Sequence, residues 1–521
     1  MILVIITLFS CEDQITEDWI NQRVYDPEEV IIETGGTAGS NIDLSNLVVL
    51  GTSLASGVQD GALYNSGQQN SFPALLANQL KMLSDVENMQ DFVQPDINSE
   101  FGYHLIFNPN ILSVTFGRSL LNVTKLEPEV EPNGDLITPY QGQKSSIRNF
   151  SAPLLTSGQL VTPATGGPDT SQQANLAFNE FYHRFASAPS QDGINGSSLL
   201  NDALKSEPTF FIYEAGMNDV MLFAMNGGDD RVGITNSTDF AGVLSIVLDS
   251  LTKGQNQNTI PGAILNIPDI LDFPFFTSLS YDEVILDKEG ANAVNVEFEQ
   301  YNKSLNDARS QGLIPEEELN KRLIEFKEGR NGILIEDEDL LSVIIPAQGE
   351  TPEVTLPKYR QANNSDLTLI TVGTILGQPI SPDRLTSIYG TTVPIGDSLI
   401  LTQTEIMSIN SAITAYNSSI QQVVQAFNNQ GNNIVIVEID QIFDDALGTL
   451  STTDKVGIVF QGVTLLPDFS PSGIFSTDGL HPNPRGHGII ANQIISAIND
   501  RWAADIPQVD VLSLRTAPFK L

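Results

Sequence analysis

The sequence predicts an α/β protein with a central parallel β-sheet. Short apolar runs of strand length end in turns that contain glycine or serine. Segments with helical periodicity follow these runs, and a long amphipathic helix leads into another apolar run near the C-terminus. Alternation of this kind favours a parallel sheet whose strands are joined by crossover helices.

Composition sets the first limits on function. The chain has 521 residues, with 25 basic against 64 acidic side chains and a formal net charge of −39. Such a chain has ample material for a core and lacks the basic footprint that nucleic acid requires. The same charge argues against electrostatic docking on anionic lipid. We therefore expect no nucleic-acid partner.

The N-terminus resembles a bacterial lipoprotein signal. An apolar run too short to span a bilayer ends in Leu8-Phe9-Ser10-Cys11, which is similar to a lipobox, and Cys11 is the only cysteine. The resemblance implies a signal peptide over residues 1–11 and a lipidated Cys11. It further implies a cell-envelope protein anchored to the outer membrane by its lipid, either periplasmic or surface-exposed. A buried N-terminal strand is the alternative.

The next segment, residues 12–45, is predicted to be a flexible tether, because it contains the linker-like run Gly35-Gly36-Thr37-Ala38-Gly39-Ser40. The folded body should then extend over residues 46–521. Its first unit is an apolar strand from Leu47 to Leu50 that breaks at Gly51 and presents Ser53. A helix with Ser71 as its N-cap follows this turn.

Two more apolar strands lie in the middle of the chain. One runs through residues 208–215 and ends in Gly216-Met217-Asn218-Asp219, and the other covers residues 261–269. Two amphipathic helical stripes joined near Gly312 then mark a helical insertion over about residues 280–395. This insertion is either a lid or binding subdomain, or an appendage that only packs.

The C-terminal part returns to the α/β pattern. Thr402 and Glu405 form a capping box before a long apolar stripe, and residues 433–439 form a strand after Gly431. Asp478 and His481 lie three positions apart in the next turn and are followed by Pro482. A final helix buries isoleucines spaced four residues apart.

Three short blocks stand in a fixed order: Gly-x-Ser-Leu at Ser53, Gly-x-Asn-Asp at Asn218, and Asp-x-x-His-Pro at Asp478 and His481. The set resembles the SGNH/GDSL hydrolase family, whose first block usually reads Gly-Asp-Ser-Leu; here Thr52 replaces the aspartate. The resemblance implies a flavodoxin-like three-layer α/β/α fold.

The chemistry of these residues fits a serine hydrolase. A serine hydroxyl is a weak nucleophile that needs a base, histidine titrates near neutral pH, and a carboxylate fixes the tautomer of that histidine. We therefore expect Ser53, His481 and Asp478 to form a catalytic triad.

An oxyanion hole should accompany the triad. The Ser53 N–H, the Asn218 amide and the Leu154 main-chain N–H are the expected donors. Leu154 stands where the family's second block normally has glycine, and Gly158 is the alternative. Asp219 is expected to order its own turn.

The remaining histidines, His104, His183 and His487, are expected to be structural, and the four histidines lack metal-ligand spacing. The sequence implies no metal and no cofactor. The expected activity is cleavage of carboxylic esters, as an esterase or lipase, on a small-molecule, lipid or acylated-sugar substrate, with membrane contact only through the Cys11 lipid. The alternative is a catalytically weak or inactive surface lipoprotein that binds a carbohydrate or a partner.

Overall fold

A computed structural model of the chain describes most of the sequence. The described residues are 35–104, 117–122, 127–131, 134–168, 175–229, 231–254, 259–347, 353–447, 457–516 and 518–520. Cys11 and the predicted signal peptide lie outside the described residues.

The centre of the fold is a parallel sheet of five strands in the described part of the chain. The strands are β1 (Leu47–Gly51), β2 (Asn149–Ser151), β3 (Phe210–Tyr213), β4 (Gly262–Leu265) and β5 (Ile434–Val437). Their spatial order is β2-β1-β3-β4-β5, with every neighbouring pair parallel. This is the flavodoxin-like order, so the predicted fold class is confirmed.

Helices cover both faces of this sheet. In the described residues they are α1 (Ser53–Ser56), α2 (Asn65–Gln69), α3 (Phe72–Leu80), α4 (Glu180–His183), α5 (Leu199–Lys205), α6 (Asn218–Met225), α7 (Ser237–Leu251), α8 (Pro274–Thr277), α9 (Lys288–Ser310), α10 (Glu316–Arg322), α11 (Gln403–Asn429), α12 (Asp440–Leu447) and α13 (Pro484–Trp502). The α3 and α13 helices pack together as one layer, and α5, α7 and α11 form the other. All five residues of β1 are buried between the two layers.

Short strands outside the central sheet form small antiparallel pairs. These are Ala62–Leu63 with Tyr103–His104, Val284–Leu286 with Gly329–Asn331, Leu334–Glu336 with Tyr359–Gln361, Ile344–Ile345 with Val354–Thr355, Leu367–Thr368 with Ile400–Leu401, and Ile458–Phe460 with Val463–Leu465. Ser119–Asn122 pairs with Glu127–Val130 and, in parallel, with Phe519–Lys520.

In its described residues, the segment predicted as a helical insertion has α-helix only in α9 and α10, and a short 3₁₀ helix at Ile370–Thr374. Its remainder consists of short strand pairs and turns, which the sequence pattern did not reveal because strands of two or three residues are too short for a periodicity. Two hydrophobic clusters separate from the main core lie here, one extending from Val284 to Ile400 and the other from Leu305 to Leu356.

The described end of the predicted tether is a packed segment and not a flexible one. Ser40 N–H donates to the carbonyl of Trp502 at 2.8 Å, and Asp505 N–H donates to the carbonyl of Thr37 at 2.9 Å. A Cβ on Gly36 would lie 2.2 Å from the carbonyl oxygen of Asp505. The glycines that resemble a linker therefore serve close backbone packing, and the prediction of a flexible tether is wrong for residues 35–45.

Candidate active site

The chain presents Ser53 at the carboxyl edge of the central sheet. β1 ends at Gly51, and Ser53 is the first residue of the short helix α1, which Gly57 ends with φ 83°. A Cβ on Gly51 would lie 2.6 Å from Cβ of Ala55, so only glycine permits this sharp reversal. We call residues 51–57 the serine turn.

Two hydrogen-bond donors from different segments converge on the Ser53 hydroxyl. The Leu154 main-chain N–H donates to Ser53 Oγ at 2.8 Å, and the Asn218 side-chain amide donates to it at 3.0 Å. Asn218 Nδ2 also donates to the carbonyl of Leu155 at 3.0 Å, which fixes the orientation of the amide. Leu154 follows β2 and Asn218 begins the helix after β3, so both neighbours of β1 contribute a donor.

Asp478 and His481 form an ion-pair-like contact at the same edge. His481 Nδ1 lies 2.8 Å from Asp478 Oδ2, and the main-chain N–H groups of Leu480 and His481 each donate to Asp478 Oδ1 at 2.8 Å. Burial by itself raises the pKa of Asp478, but the charge of His481 and these hydrogen bonds outweigh it and lower the pKa to about 2. The carboxylate is therefore ionised at neutral pH.

Ser53 and His481 line one cleft. In the described residues no hydrogen bond joins Ser53 Oγ to His481, and such contacts often tighten only when substrate binds. The rest of the cleft wall is mainly apolar, with side chains from Leu54, Leu154, Met217, Met221, Leu222, Met225, Phe273, Phe443, Leu480 and Pro482. Within the described part of the chain, the residues that line this cleft all lie outside residues 280–395.

The position of the cleft follows from the strand order. In an open parallel sheet, ligands bind beyond the carboxyl ends of the strands where the winding reverses, and here that point lies between β1 and β3. Ser53 follows β1 and Asn218 follows β3. A model of the GDSL-like lipase/acylhydrolase family matches residues 249–494.

Residues 249–494 thus carry a GDSL-like lipase/acylhydrolase domain, which supports the resemblance to the SGNH/GDSL hydrolases. The match contains Asp478 and His481 and begins after Ser53 and Asn218, whose places in the family blocks rest on their motifs and on the geometry above. A search of curated proteins gave no match. A domain of this kind indicates a hydrolase that acts on esters.

At Thr52, where the resemblance would place an aspartate, a buried glutamate contacts the serine turn. Glu214 Oε2 accepts hydrogen bonds from the main-chain N–H groups of Thr52 at 2.8 Å and Ala55 at 3.2 Å, and Oε1 accepts the Thr52 hydroxyl at 2.9 Å. Sequence reasoning missed Glu214. The available signal was an acidic residue directly after an entirely apolar strand.

The loop around Asp60 was also missed, although it holds the carboxylate of Asp478. Gly61 N–H donates to Asp478 Oδ2 at 2.9 Å, and the Ser476 hydroxyl donates to Asp478 Oδ1 at 3.0 Å while it accepts the Asp60 N–H at 2.9 Å. Burial raises the pKa of Asp60 to about 6, against the opposing effect of hydrogen bonds from Tyr64 and Thr477. The Asp60-Gly61 pair predicts only a turn, and nothing in it indicates a contact with the C-terminal block.

Asp219 does more than order its own turn. Its carboxylate accepts the Ser157 N–H at 2.8 Å and the Ser157 hydroxyl at 2.6 Å. It therefore ties the loop that carries Leu154 to α6. Gly158, the alternative donor, lies beyond this point in a 3₁₀ turn, Ser157–Leu160, so the structure places Leu154 at the serine instead.

His481 is the histidine among the described residues that line the cleft. His183 Nδ1 lies 2.7 Å from the carbonyl of Gly166, and the main chain of His104 pairs with Ala62. His487 is fully buried and its Nδ1 accepts the Phe72 N–H at 3.2 Å. Burial, with a smaller contribution from nearby His481, lowers the pKa of His487 to about 3.

Across the described ranges, no cluster of three or more His, Cys, Asp or Glu side chains could hold a metal ion. Those same ranges contain no helix with the length and apolar character needed to cross a membrane.

Proposed function

We propose that this chain is a serine esterase that cleaves carboxylic esters with Ser53 as nucleophile, His481 as base and Asp478 as the residue that orients the base. The observation that carries the proposal is the convergence of two donors on Ser53 Oγ in a cleft that also contains the His481–Asp478 pair.

The steps follow from the positions of these groups. Asp478 holds the proton on His481 Nδ1, which leaves Nε2 free to accept the Ser53 proton as Oγ attacks the ester carbonyl. His481 then gives that proton to the departing alcohol. A water molecule activated by the same nitrogen hydrolyses the acyl-enzyme and returns Ser53 to its starting state.

The oxyanion is stabilised by donors already aimed at this point. The Leu154 N–H and the Asn218 amide lie within hydrogen-bond distance of Ser53 Oγ and are therefore within reach of an oxygen bound beside it. The Ser53 N–H is the third donor. Each such donor contributes about 10²–10³-fold to the rate, because it stabilises charge that develops only in the transition state.

The cleft wall supports an apolar acyl group. Met217, the N-cap of α6, and Met221 and Met225 within it stand at intervals of four and all line the cleft as a methionine row. Methionine adapts its shape to different apolar ligands, which suits flexible acyl chains. We therefore expect esters of fatty acids, as lipids or as acylated sugars, to fit better than acetyl esters.

We also propose that Cys11 is lipidated and anchors the enzyme in the cell envelope, at the outer membrane. The support is the single cysteine that follows a short apolar run.

The alternative, an inactive binding module, was favoured only by Thr52 and Leu154, where the family has aspartate and glycine. Leu154 still offers its N–H to Ser53, and a carboxylate still contacts the serine turn through Glu214. Both contacts support the enzyme.

The test is hydrolysis of p-nitrophenyl butyrate, together with labelling by a fluorophosphonate. The wild-type protein should turn over the ester and carry the label on Ser53 when its peptides are mapped by mass spectrometry. Ser53→Ala should lose both and keep its circular dichroism spectrum. A label on neighbouring Ser56, or equal turnover by the variant, would refute the assignment.

A further inference from the structure

Glu214 is a carboxylate buried directly beneath the serine turn. Its residue is 3% exposed, and its two oxygens accept three donors, all from Thr52 and Ala55. Thr52 and Ala55 flank Ser53 on either side. Every described hydrogen bond of the Glu214 carboxylate thus goes to the serine turn.

The sheet explains how a residue from β3 reaches this turn. Leu50 of β1 pairs with Tyr213 of β3, so residues 51 and 214 leave the sheet side by side at the same edge. A Cβ on Gly51 would lie 3.0 Å from Glu214 Oε2, which shows how closely the carboxylate approaches the turn.

The serine turn, residues 51–57, has no acidic side chain of its own. We propose that Glu214 is a positioning residue that holds Ser53 in register with its base and its oxyanion donors. The inference rests on the proposed esterase function.

The contacts explain why a buried hydrogen-bond acceptor is needed at this place. Burial leaves the main-chain N–H groups of Thr52 and Ala55 without water, and an unpaired buried donor is costly. Burial raises the pKa of Glu214 above its usual value, and the hydrogen bonds from Thr52 and Ala55 and the charge of His481 offset only part of that rise. The side chain therefore satisfies donors of the turn that water cannot reach.

Substitutions at Thr52 and Glu214 give a test in which the effect of Glu214→Gln on kcat reverses its sign. Alone the substitution should lower kcat slightly, whereas beside Thr52→Asp it should raise kcat. In the wild-type background, Thr52→Asp brings a second carboxylate to the place where the Thr52 hydroxyl lies 2.9 Å from Glu214 Oε1. The two carboxylates repel each other and displace the serine turn. Because a displacement of a reacting group by about 1 Å can cost 10²-fold, kcat should fall by about 10²-fold. In a Glu214→Gln background, the new aspartate meets an amide donor instead. Thr52→Asp/Glu214→Gln should recover at least about tenfold of that loss.

Glu214→Gln alone should have a mild effect. The amide oxygen can accept the two N–H groups while the amide nitrogen faces the Thr52 hydroxyl, which is able to accept. Glu214→Ala leaves all three donors unpaired and should lower kcat by about 10²-fold with KM changed less than about threefold.

Asp202→Ala is the matched control. Asp202 is a buried carboxylate of α5 that accepts the Tyr182, Ser187 and Ser197 hydroxyls, and none of these residues lines the cleft. Its loss should lower the thermal midpoint and leave kcat within about twofold of the wild type. A general loss of stability would affect both variants alike, so only the positioning role predicts a selective fall in kcat for Glu214→Ala.

The thermal midpoints of the four members of the cycle give a second readout that does not need turnover. They should show the same coupling, with Thr52→Asp more destabilising when Glu214 is present than when Gln is present. Additive effects on both kcat and the midpoint would overturn the inference. Absence of wild-type turnover would instead refute the proposed function, and the midpoints would still decide whether Glu214 anchors the turn.

Discussion

The main-chain N–H of Leu154 donates to Ser53 Oγ at 2.8 Å from a residue whose φ is +62°. A leucine in this left-handed conformation is strained by about 1–2 kcal/mol, because its Cβ crowds the following carbonyl. This strained conformation directs the main-chain N–H of Leu154 toward the Ser53 hydroxyl. Glycine adopts a positive φ without this strain and would offer its N–H from the same backbone conformation.

Leu154→Gly should therefore keep the donor and widen the cleft. We expect turnover of p-nitrophenyl acetate within about threefold of the wild type, and a relative gain for esters with branched or bulky acyl groups. The measurement is kcat/KM across an acyl series. Unchanged selectivity would exclude the leucine side chain from the substrate-binding surface. Leu154→Pro is not a useful probe, since proline fixes φ near −65° and would distort the loop.

Asn218→Ala should lower kcat by about 10²–10³-fold, because one side-chain donor to the oxyanion is removed. Asn226→Ala is the control, since Asn226 caps the same helix and its amide donates to the Leu222 carbonyl on the exposed side. The measurement is kcat of both variants from steady-state kinetics. A loss of less than about tenfold in Asn218→Ala would remove the amide from the oxyanion hole.

Met221→Asp should disfavour long acyl chains, because it places a charge within the methionine row of the cleft. We expect kcat/KM for p-nitrophenyl octanoate to fall at least about tenfold more than that for the acetate. Met407→Asp, at a residue that is 62% exposed on α11, should leave the ratio of the two esters unchanged. Equal losses on both esters in Met221→Asp would argue against acyl binding at this row.

His487 should make the fold sensitive to acid. The unfolded chain binds a proton at this residue below about pH 6.5, whereas the folded chain, whose His487 pKa is about 3, does not. Acidification through this window therefore favours unfolding, by up to about 1.4 kcal/mol per pH unit.

His487→Asn keeps an acceptor near the position of Nδ1 and removes the titration. Its thermal midpoint should fall less than that of the wild type between pH 6.5 and 4.5. Asp60, whose pKa is about 6, contributes a slope of the opposite sign in both proteins and cancels in the comparison. Parallel curves would show that His487 does not titrate differently on folding.

Lipidation of Cys11 predicts a mature protein that begins at this residue and carries acyl chains. Intact-mass analysis of the membrane fraction, with Cys11→Ala as the control that stays unprocessed, tests this expectation. A mature chain that begins at Met1, or one cleaved elsewhere, would contradict it.

The sequence predicted the strands of the sheet well, because β1 and β3 are continuous apolar runs and their length and termination are local properties. It also predicted that Asp478 and His481 lie together, since three residues of turn suffice to pair them. The α/β class was confirmed, and the family model over residues 249–494 supports the resemblance to the SGNH/GDSL hydrolases.

Contacts between distant segments could not be predicted in the same way. Glu214 reaches Thr52 only because β3 lies beside β1, and that adjacency depends on the order in which the strands pair. The packing of Gly36 against Asp505 was missed because it also joins distant segments. A glycine-rich run reads the same in a sequence whether its glycines form a flexible linker or a close backbone contact.

The hydrogen bond from Gly61 to Asp478 joins positions 417 residues apart. During synthesis the serine turn therefore emerges long before the aspartate and the histidine it requires. A chain still being synthesised carries the serine without its base. Under the proposed mechanism such a chain cannot hydrolyse an ester, so activity begins only after Asp478 and His481 have been made.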